Sequence, residues 1–179
     1  MRKNLELDLF DIFTSEGKVI TEKYDSDPEE FSVAGTSYAV KDAKPVTLRI
    51  ENIALNKVYL TGSCAFTLIM QCDRCLKDTE VPFSLSFERE LLSKELRDEA
   101  EEPEECGYLE ENLLDVYGLI EEELLLSLPE KVLCRKDCKG LCPVCGANRN
   151  EKECGCDTFV PDPRLAGLGD ILKQLNKEV

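Results

Sequence analysis

The chain has 179 residues, of which 42% are hydrophobic, and this composition supports one globular domain with room for a small second module. Its formal net charge is −15, and no stretch approaches the ~18 consecutive apolar residues of a membrane span, so no membrane association is expected. The N-terminal residues interleave acids with leucines and lack the unbroken apolar core of a signal peptide. These features predict a cytoplasmic protein in a reducing compartment.

Four runs in the first half of the chain predict strands, because their apolar residues alternate or are rich in β-branched and aromatic types. These runs are 5–9, 46–53, 58–70 and 81–87. The polar pair Asn56-Lys57 separates two of them and predicts a hairpin turn. Cys72 and Cys75 fall in the break before the last run, where a turn would direct both sulfur atoms toward one ion.

An acidic segment and a helix follow the predicted strands. From Asp98 to Glu123 the chain has twelve acids and no Lys or Arg, and we expect 98–111 to be a solvated linker. Asn112 is the candidate N-cap of the helix, and Pro129 ends it. The apolar face of this helix comprises Leu113, Tyr117, Ile120, Leu124 and Leu128.

The predicted fold class is α+β, with an antiparallel meander of about four strands, two helices and a C-terminal cysteine-rich zinc module. Residues 1–129 form the sheet-and-helix core in this interpretation, and 130–160 form the cysteine-rich module. Asp162-Pro163 then begins a second helix, since an N-cap followed by Pro is a typical helix start. We expect this helix, within 161–179, to pack on the core.

Eight of the ten cysteines have the spacing of metal ligands, and the chain has no His, so any such site is all-thiolate. In the string CPVCG a two-residue gap lets both sulfur atoms reach one ion at ~2.3 Å. Gly146 then suits the positive φ often needed after the second ligand. Two four-thiolate sites account for these residues: Cys142, Cys145, Cys154 and Cys156 in one, and Cys72, Cys75, Cys134 and Cys138 in the other.

Other assignments of the cysteines remain open. One site could use Cys138, Cys142 and Cys145 with either Cys154 or Cys156. Alternatively, the chain is a thiol–disulfide redox protein that uses the Cys72/Cys75 pair. Of the two remaining cysteines, Cys64 is expected to be a small core residue, and Cys106 has no partner pair nearby.

Zinc is the expected metal, as two structural ions, because thiolates are soft ligands that suit a tetrahedral all-sulfur shell. Iron is the rival metal in this geometry. A closed four-thiolate shell leaves no open coordination position, so the sites are not catalytic. The chain also has no phosphate-binding glycine loop and no nucleophile with an apparent base, which predicts a non-enzymatic protein without a small-molecule substrate.

Basic residues surround the clustered cysteines and are candidate RNA contacts. They are Lys131, Arg135, Lys136, Lys139, Arg149 and Lys152. A four-thiolate zinc site carries a formal charge of −2, so these residues either neutralise it or face the phosphates of RNA. With both sites filled, the formal charge of the chain falls from −15 to −19, and long-range attraction of the whole chain to RNA is not expected.

The order of five motifs resembles the YceD family, whose members are described as large ribosomal RNA subunit accumulation proteins with predicted metal-binding and nucleic-acid-binding properties. The motifs are QCDRCL, an acidic stretch, IEEELLLSLP, CKGLCPVCGANRNEKECGC and DPRLAGL. The family's C-x-R-C signature matches Cys72, Arg74 and Cys75, its GLCPxCG string matches Gly140–Gly146, and its DPRLA string matches Asp162–Ala166. Arg149 departs from the leucine of the family pattern and widens the basic patch.

The resemblance implies a role in ribosome biogenesis, namely accumulation of large-subunit (23S-type) ribosomal RNA. The implied partners are the pre-ribosomal large subunit, through its RNA, a basic ribosomal protein, or both. The resemblance implies a process and defines no reaction.

Overall fold

The computed structural model describes residues 5–25, 27–99 and 107–157, and these form two compact units. The first unit comprises the residues up to Cys72 together with Lys77–Cys134. The second comprises Asp73–Leu76 and the described residues from Arg135 onward. The turn that contains Cys75 therefore belongs to the cysteine-rich unit, although it lies some sixty residues upstream in the sequence.

Twelve elements lie in the described part of the first unit. In chain order they are β1 (Glu6–Asp8), α1 (Phe10–Thr14), β2 (Val19–Tyr24), β3 (Glu30–Val33), β4 (Thr36–Lys41), β5 (Val46–Ala54), β6 (Lys57–Gln71), β7 (Asp78–Leu92), α2 (Lys94–Asp98), β8 (Leu109–Glu110), β9 (Leu113–Asp115) and α3 (Val116–Ser127). The α+β class is confirmed.

A six-stranded antiparallel sheet is built around the long strand β6. Strand β7 pairs with β6 along its whole length. On the opposite edge, β5 pairs with the first half of β6 and β4 with the second half, while β2 extends the sheet beyond β5 and β3 extends it beyond β4. Between β4 and β5, the Lys44 amide donates to the Ala65 carbonyl at 2.9 Å. The meander β5–β6–β7 agrees with the predicted connectivity.

The predicted hairpin between β5 and β6 is confirmed, but its loop is Leu55-Asn56, and Lys57 already belongs to β6. The strands pair up to Ala54 and Lys57, and Asn56 in the two-residue loop has a φ of 61°. Asn tolerates this left-handed conformation better than most residues. The break between the two runs therefore has the backbone that its sequence favours.

One face of the sheet forms the core, because alternate side chains of β5, β6 and β7 point toward it. Val58, Leu60, Cys64, Phe66 and Leu68 of β6 are all buried. Helix α3 contributes its buried residues to the same core, namely Val116, Leu119, Ile120 and Leu124. Cys64 is thus a core residue, as expected, and its burial raises the pKa of its thiol to about 12.

A separate three-stranded sheet has the order β1-β9-β8. The predicted first strand is confirmed as β1, but it pairs with β9 and not with the main sheet. The prediction of about four strands is therefore wrong. Strands β2 to β4 were missed, because they lie in a polar stretch whose side chains are mostly exposed or half-buried.

The predicted start of the long helix is also wrong. Asp115 is its N-cap, and the Asp115 carboxylate accepts a hydrogen bond from the Tyr117 amide at 3.0 Å. Asn112 and Leu113 precede the helix, and Leu113 is paired in β9. The predicted end is confirmed, since the helix ends at Ser127, just before Leu128 and Pro129.

The acidic segment 98–111 is described only in part. At its end, Tyr108 and Leu109 are buried in the core, so the expected solvated character does not extend to these residues. Cys106, the helix expected within 161–179 and the DPRLA string lie outside the described residues. Among the residues that are described, no helix is long and apolar enough to cross a membrane.

Candidate metal centres

The structure gathers eight cysteines into two groups of four. One group is Cys72, Cys75, Cys134 and Cys138, and the other is Cys142, Cys145, Cys154 and Cys156. In each group all four sulfur atoms lie within 4.8 Å of one another. A tetrahedral zinc ion with bonds of ~2.3 Å holds its sulfur atoms ~3.8 Å apart, so both groups fit such an ion after small adjustments.

These groups match the two-site assignment. The alternative single site would combine Cys138 with Cys142 and Cys145, but the sulfur of Cys138 gathers with the other group. That metal occupies either group remains a prediction. Four thiolates form a soft donor set that is compatible with zinc.

The second group is built around a tight turn at CPVCG. The Gly146 amide donates to the Cys142 carbonyl at 2.8 Å, and the Cys142 amide donates to the Ala147 carbonyl at 2.8 Å. Gly146 has a φ of 72°, which confirms the expected left-handed conformation after the second cysteine. Gly155, between Cys154 and Cys156, also has a positive φ, of 65°.

The electrostatics of the second group favour a thiolate at Cys142. Backbone amides of Cys145 and Val144 donate to the Cys142 sulfur and lower the pKa of this thiol to about 6. Cys156 behaves oppositely, because its hydrogen bonds to Cys145 and Cys154 raise the pKa of its thiol to about 12. A bound dication would displace the remaining thiol protons, because metal ligation requires deprotonated sulfur.

The turn of the C-x-R-C signature is bonded to the cysteine-rich segment within the second unit. The Arg74 guanidinium donates to the Cys138 carbonyl at 2.8 Å, and the Leu141 amide donates to the Arg74 carbonyl at 2.9 Å. Gly140 lies against this contact with a φ of 74°, and a Cβ there would come within 2.9 Å of the Arg74 carbonyl oxygen. The residue types at Arg74 and Gly140 therefore hold the two segments together.

Asn150 supports the cysteine-rich unit in a way that the sequence did not reveal. Its side-chain amide donates to the Cys138 sulfur at 3.3 Å. Its side-chain oxygen accepts hydrogen bonds from the Lys139 amide at 2.8 Å and from the Arg135 guanidinium at 2.7 Å. No spacing rule points to this residue, because its contacts depend on how the loop between Cys145 and Cys154 folds back.

All six candidate RNA contacts are exposed, but they differ in their surroundings. Lys139 and Arg149 line a surface cavity of about 200 Å³ together with Cys154 and Cys156. Lys139 also lies 3.9 Å from the Glu153 carboxylate, and Arg135 lies 3.6 Å from that of Asp137. Lys139 and Arg149 lie beside sulfur atoms and are suited to neutralising thiolate charge. Lys131, Lys136 and Lys152 are exposed and have no ion pair among the residues that the structure describes.

Comparison with known proteins finds a matching family model and several relatives. Residues 60–172, more than half of the chain, match the family model described as "Large ribosomal RNA subunit accumulation protein YceD". Uncharacterized proteins of Mycobacterium tuberculosis and Mycobacterium bovis are 32% identical over 127 residues, which is 70% of this chain and 60% of each relative. The matched segment therefore spans less than two thirds of these relatives.

A more distant plant relative carries a descriptive name. It is the "Large ribosomal RNA subunit accumulation protein YCED homolog 1, chloroplastic" of Arabidopsis thaliana, 29% identical over 65 residues, or 36% of this chain and 20% of the relative. No solved structure matches the chain significantly. On the strength of the family model, the chain belongs to the YceD family.

Proposed function

We propose that this protein is a non-enzymatic ribosome biogenesis factor that supports accumulation of large-subunit (23S-type) ribosomal RNA and is stabilised by two zinc ions. Membership of the YceD family carries the proposal, since the family description names accumulation of the large ribosomal RNA subunit. The plant relative has the same description in its name. The site of action under this proposal is the cytoplasm.

The two groups of thiols support the structural role of zinc. Both fit a tetrahedral ion, and neither has an open position for chemistry. Zinc binding to such sites contributes an apparent ~10–16 kcal/mol in small zinc modules. The second unit has little regular structure, with one isolated bridge between Leu141 and Asn148 among its described residues. We therefore attribute its stability mainly to metal.

The exposed basic residues support contact with the phosphates of precursor RNA. Lys136 and Lys152 are exposed on the cysteine-rich unit, so they are available to phosphate oxygens. The net charge of −15 opposes non-specific attraction to RNA, so the contact must be local. A basic ribosomal protein is the second proposed partner, because the acidic segment Asp98–Glu123 complements such a protein in charge.

The redox alternative receives less support. Disulfide exchange requires an accessible thiolate. Cys72 and Cys75 are 0% and 6% exposed, and their sulfur atoms gather with two further thiols. Both features favour metal ligation over exchange with an external partner.

Sedimentation of the protein with large-subunit precursors tests the proposal. We expect the wild-type chain to co-sediment with 23S-type precursor RNA, and the Lys136→Glu/Lys152→Glu variant to lose most of this association. Each variant must retain its zinc, so that a loss reports on the charged surface and not on unfolding. The variant Lys23→Glu/Lys44→Glu is the matched control, because it makes the same charge change on exposed residues of the first unit.

Two outcomes would overturn parts of this proposal. If the wild-type chain never co-sediments with the precursor, the proposed role is wrong. If the Lys136→Glu/Lys152→Glu variant co-sediments as well as the control, these lysines are not the RNA contact.

A further inference from the structure

A groove lined by two apolar and four polar residues lies on the first unit, away from both groups of thiols in sequence. It is a concavity of about 410 Å³ where the end of β1 and the start of α1 meet the β8–β9 hairpin. Its apolar residues are Phe10 and Leu113, which are 54% and 40% exposed. Both apolar side chains are therefore open to solvent within one concavity, where an apolar side chain of a partner could cover them.

The backbone that forms the groove is held by hydrogen bonds. The Leu9 amide donates to the Asn112 carbonyl at 2.9 Å, which joins the start of α1 to the hairpin loop. The Arg97 guanidinium donates to the carbonyls of Leu109, at 2.7 Å, and Glu111. The groove is therefore preformed, and a ligand would not need to order it.

The rim of the groove is negatively charged. Asp8, Glu110 and Glu111 line it, and all three are acids. The Glu111 carboxylate is paired with Lys94 at 2.9 Å, whereas Glu110 has no ion pair among the residues that the structure describes. The Asp8 carboxylate accepts a hydrogen bond from the Phe10 amide at 2.9 Å. Two apolar side chains thus lie among three acids, of which Glu111 alone has an ion pair within the described residues.

We propose that this groove binds a basic segment of a protein partner, in which an apolar side chain inserts against Phe10 and Leu113 while neighbouring Lys or Arg residues pair with the rim. The carboxylates would repel the phosphates of a nucleic acid. They would also disfavour a second copy of this chain, whose net charge is −15. The inference rests on the proposed function for the kind of partner, and gives the basic-protein contact a defined surface.

Binding of two fluorescein-labelled peptides to the zinc-loaded chain tests the proposed role of the groove. One peptide contains lysines with interspersed leucines, and the other has the same lysines with serine in place of leucine. By fluorescence anisotropy at physiological salt, we expect the Lys/Leu peptide to bind at least tenfold more tightly than the Lys/Ser peptide. Equal affinity of the two peptides would overturn the apolar part of the proposal.

Variants of the chain assign the binding to this surface. We expect the affinity for the Lys/Leu peptide to fall about tenfold or more in each of two variants, Phe10→Ser/Leu113→Thr and Glu110→Lys. Glu110 is exposed, so Glu110→Lys is expected to keep the fold and the zinc content. The matched control is Leu55→Ser/Glu16→Lys, which changes an exposed leucine and an exposed acid elsewhere. If the control weakens binding as much as the groove variants, the proposal is wrong.

A photo-crosslinking residue at position 10 then identifies the natural occupant. A crosslinked partner segment rich in Lys or Arg with an apolar residue supports the proposal. Crosslinks to RNA, to an acidic segment or to the chain itself overturn it. The groove variants should still co-sediment with precursor RNA through the cysteine-rich unit, so failure of the groove and failure of the RNA role give different results.

Discussion

The side-chain amide of Asn150 donates a hydrogen bond to the sulfur of Cys138 at 3.3 Å. Such a bond stabilises the thiolate form that a metal requires and orients the ligand. The same side chain accepts from the Lys139 amide, so it also fixes the residue after Cys138. One asparagine thus links the loop before Cys154 to a ligand of the other group of thiols.

Substitution of Asn150 should weaken metal binding at the group that contains Cys138. Asn150→Asp keeps the oxygen that accepts from Lys139 but removes the N–H donor and adds a negative charge near the sulfur. We expect zinc affinity at this group to fall by about 10- to 100-fold, the usual effect of losing an outer-shell partner. Competition with a chromophoric chelator measures it. Wild-type affinity in this variant would show that the N–H···S bond has no role.

Gly140→Ala should destabilise the cysteine-rich unit more than Gly155→Ala. Both glycines have a positive φ, so each substitution costs about 1–2 kcal/mol in backbone strain. Only at Gly140 would the new Cβ also press against the Arg74 carbonyl, at 2.9 Å, whereas nothing lies within 4 Å at Gly155. Denaturant unfolding of the zinc-loaded variants compares their free energies of unfolding, and equal losses would mean that the Arg74 contact can shift without cost.

Gly62→Ala should destabilise the six-stranded sheet. Gly62 pairs with Leu48 on one side and Phe87 on the other, and a Cβ there would overlap the Phe87 ring and lie 2.9 Å from the Leu48 side chain. Overpacking of this kind costs about 1–3 kcal/mol. The double variant Gly62→Ala/Phe87→Leu should lose less unfolding free energy than the sum of the losses in the two single variants, because the smaller leucine leaves room for the new Cβ. Strict additivity in thermal unfolding would argue against the steric cause.

Cys64 should make stability fall at alkaline pH. Its thiol has an ordinary pKa near 9 when unfolded and about 12 when folded, chiefly because of burial. The unfolded state therefore loses the proton first, and the contribution of Cys64 is complete below pH 9 and is lost as the pH rises toward 12. The slope is at most about 1.4 kcal/mol per pH unit.

The variant Cys64→Ala isolates this effect, since it lacks the titrating group. Below pH 9 the difference in unfolding free energy between wild type and variant should be constant. From pH 9 to 12 the wild type should lose its advantage, as followed by denaturant unfolding. A difference that does not change over this range would mean that the folded thiol titrates normally.

The sequence was most informative where residue types are tied to local geometry. The C-x2-C spacing and Gly146 pointed to a tight turn with two sulfur atoms on one side, and Asn56 pointed to the hairpin. The long apolar strands β5, β6 and β7 were also predicted, because alternation over many residues is a strong signal.

Features that depend on contacts between segments distant in the sequence were not predictable from the sequence. Strands β2 to β4 expose much of their surface and are held by pairing to β5 and β6, so their own residues carry a weak signal. Leu113 fits the helical spacing of the apolar residues, so the sequence predicts an earlier helix start. In the structure Leu113 pairs in β9, and the helix therefore begins after Asp115. The contact of Asn150 with Cys138 likewise depends on the path of a loop.

The metal content of the full-length chain tests the central claim most directly. The chain is purified under reducing, metal-clean conditions, and native mass spectrometry then measures its intact mass with any bound zinc. We expect two zinc ions per chain, one for each group of thiols, and one ion when Cys154→Ser or Cys72→Ser removes a ligand from either group. A wild-type chain that carries less than one zinc ion and forms a reversible disulfide between Cys72 and Cys75 would contradict the claim.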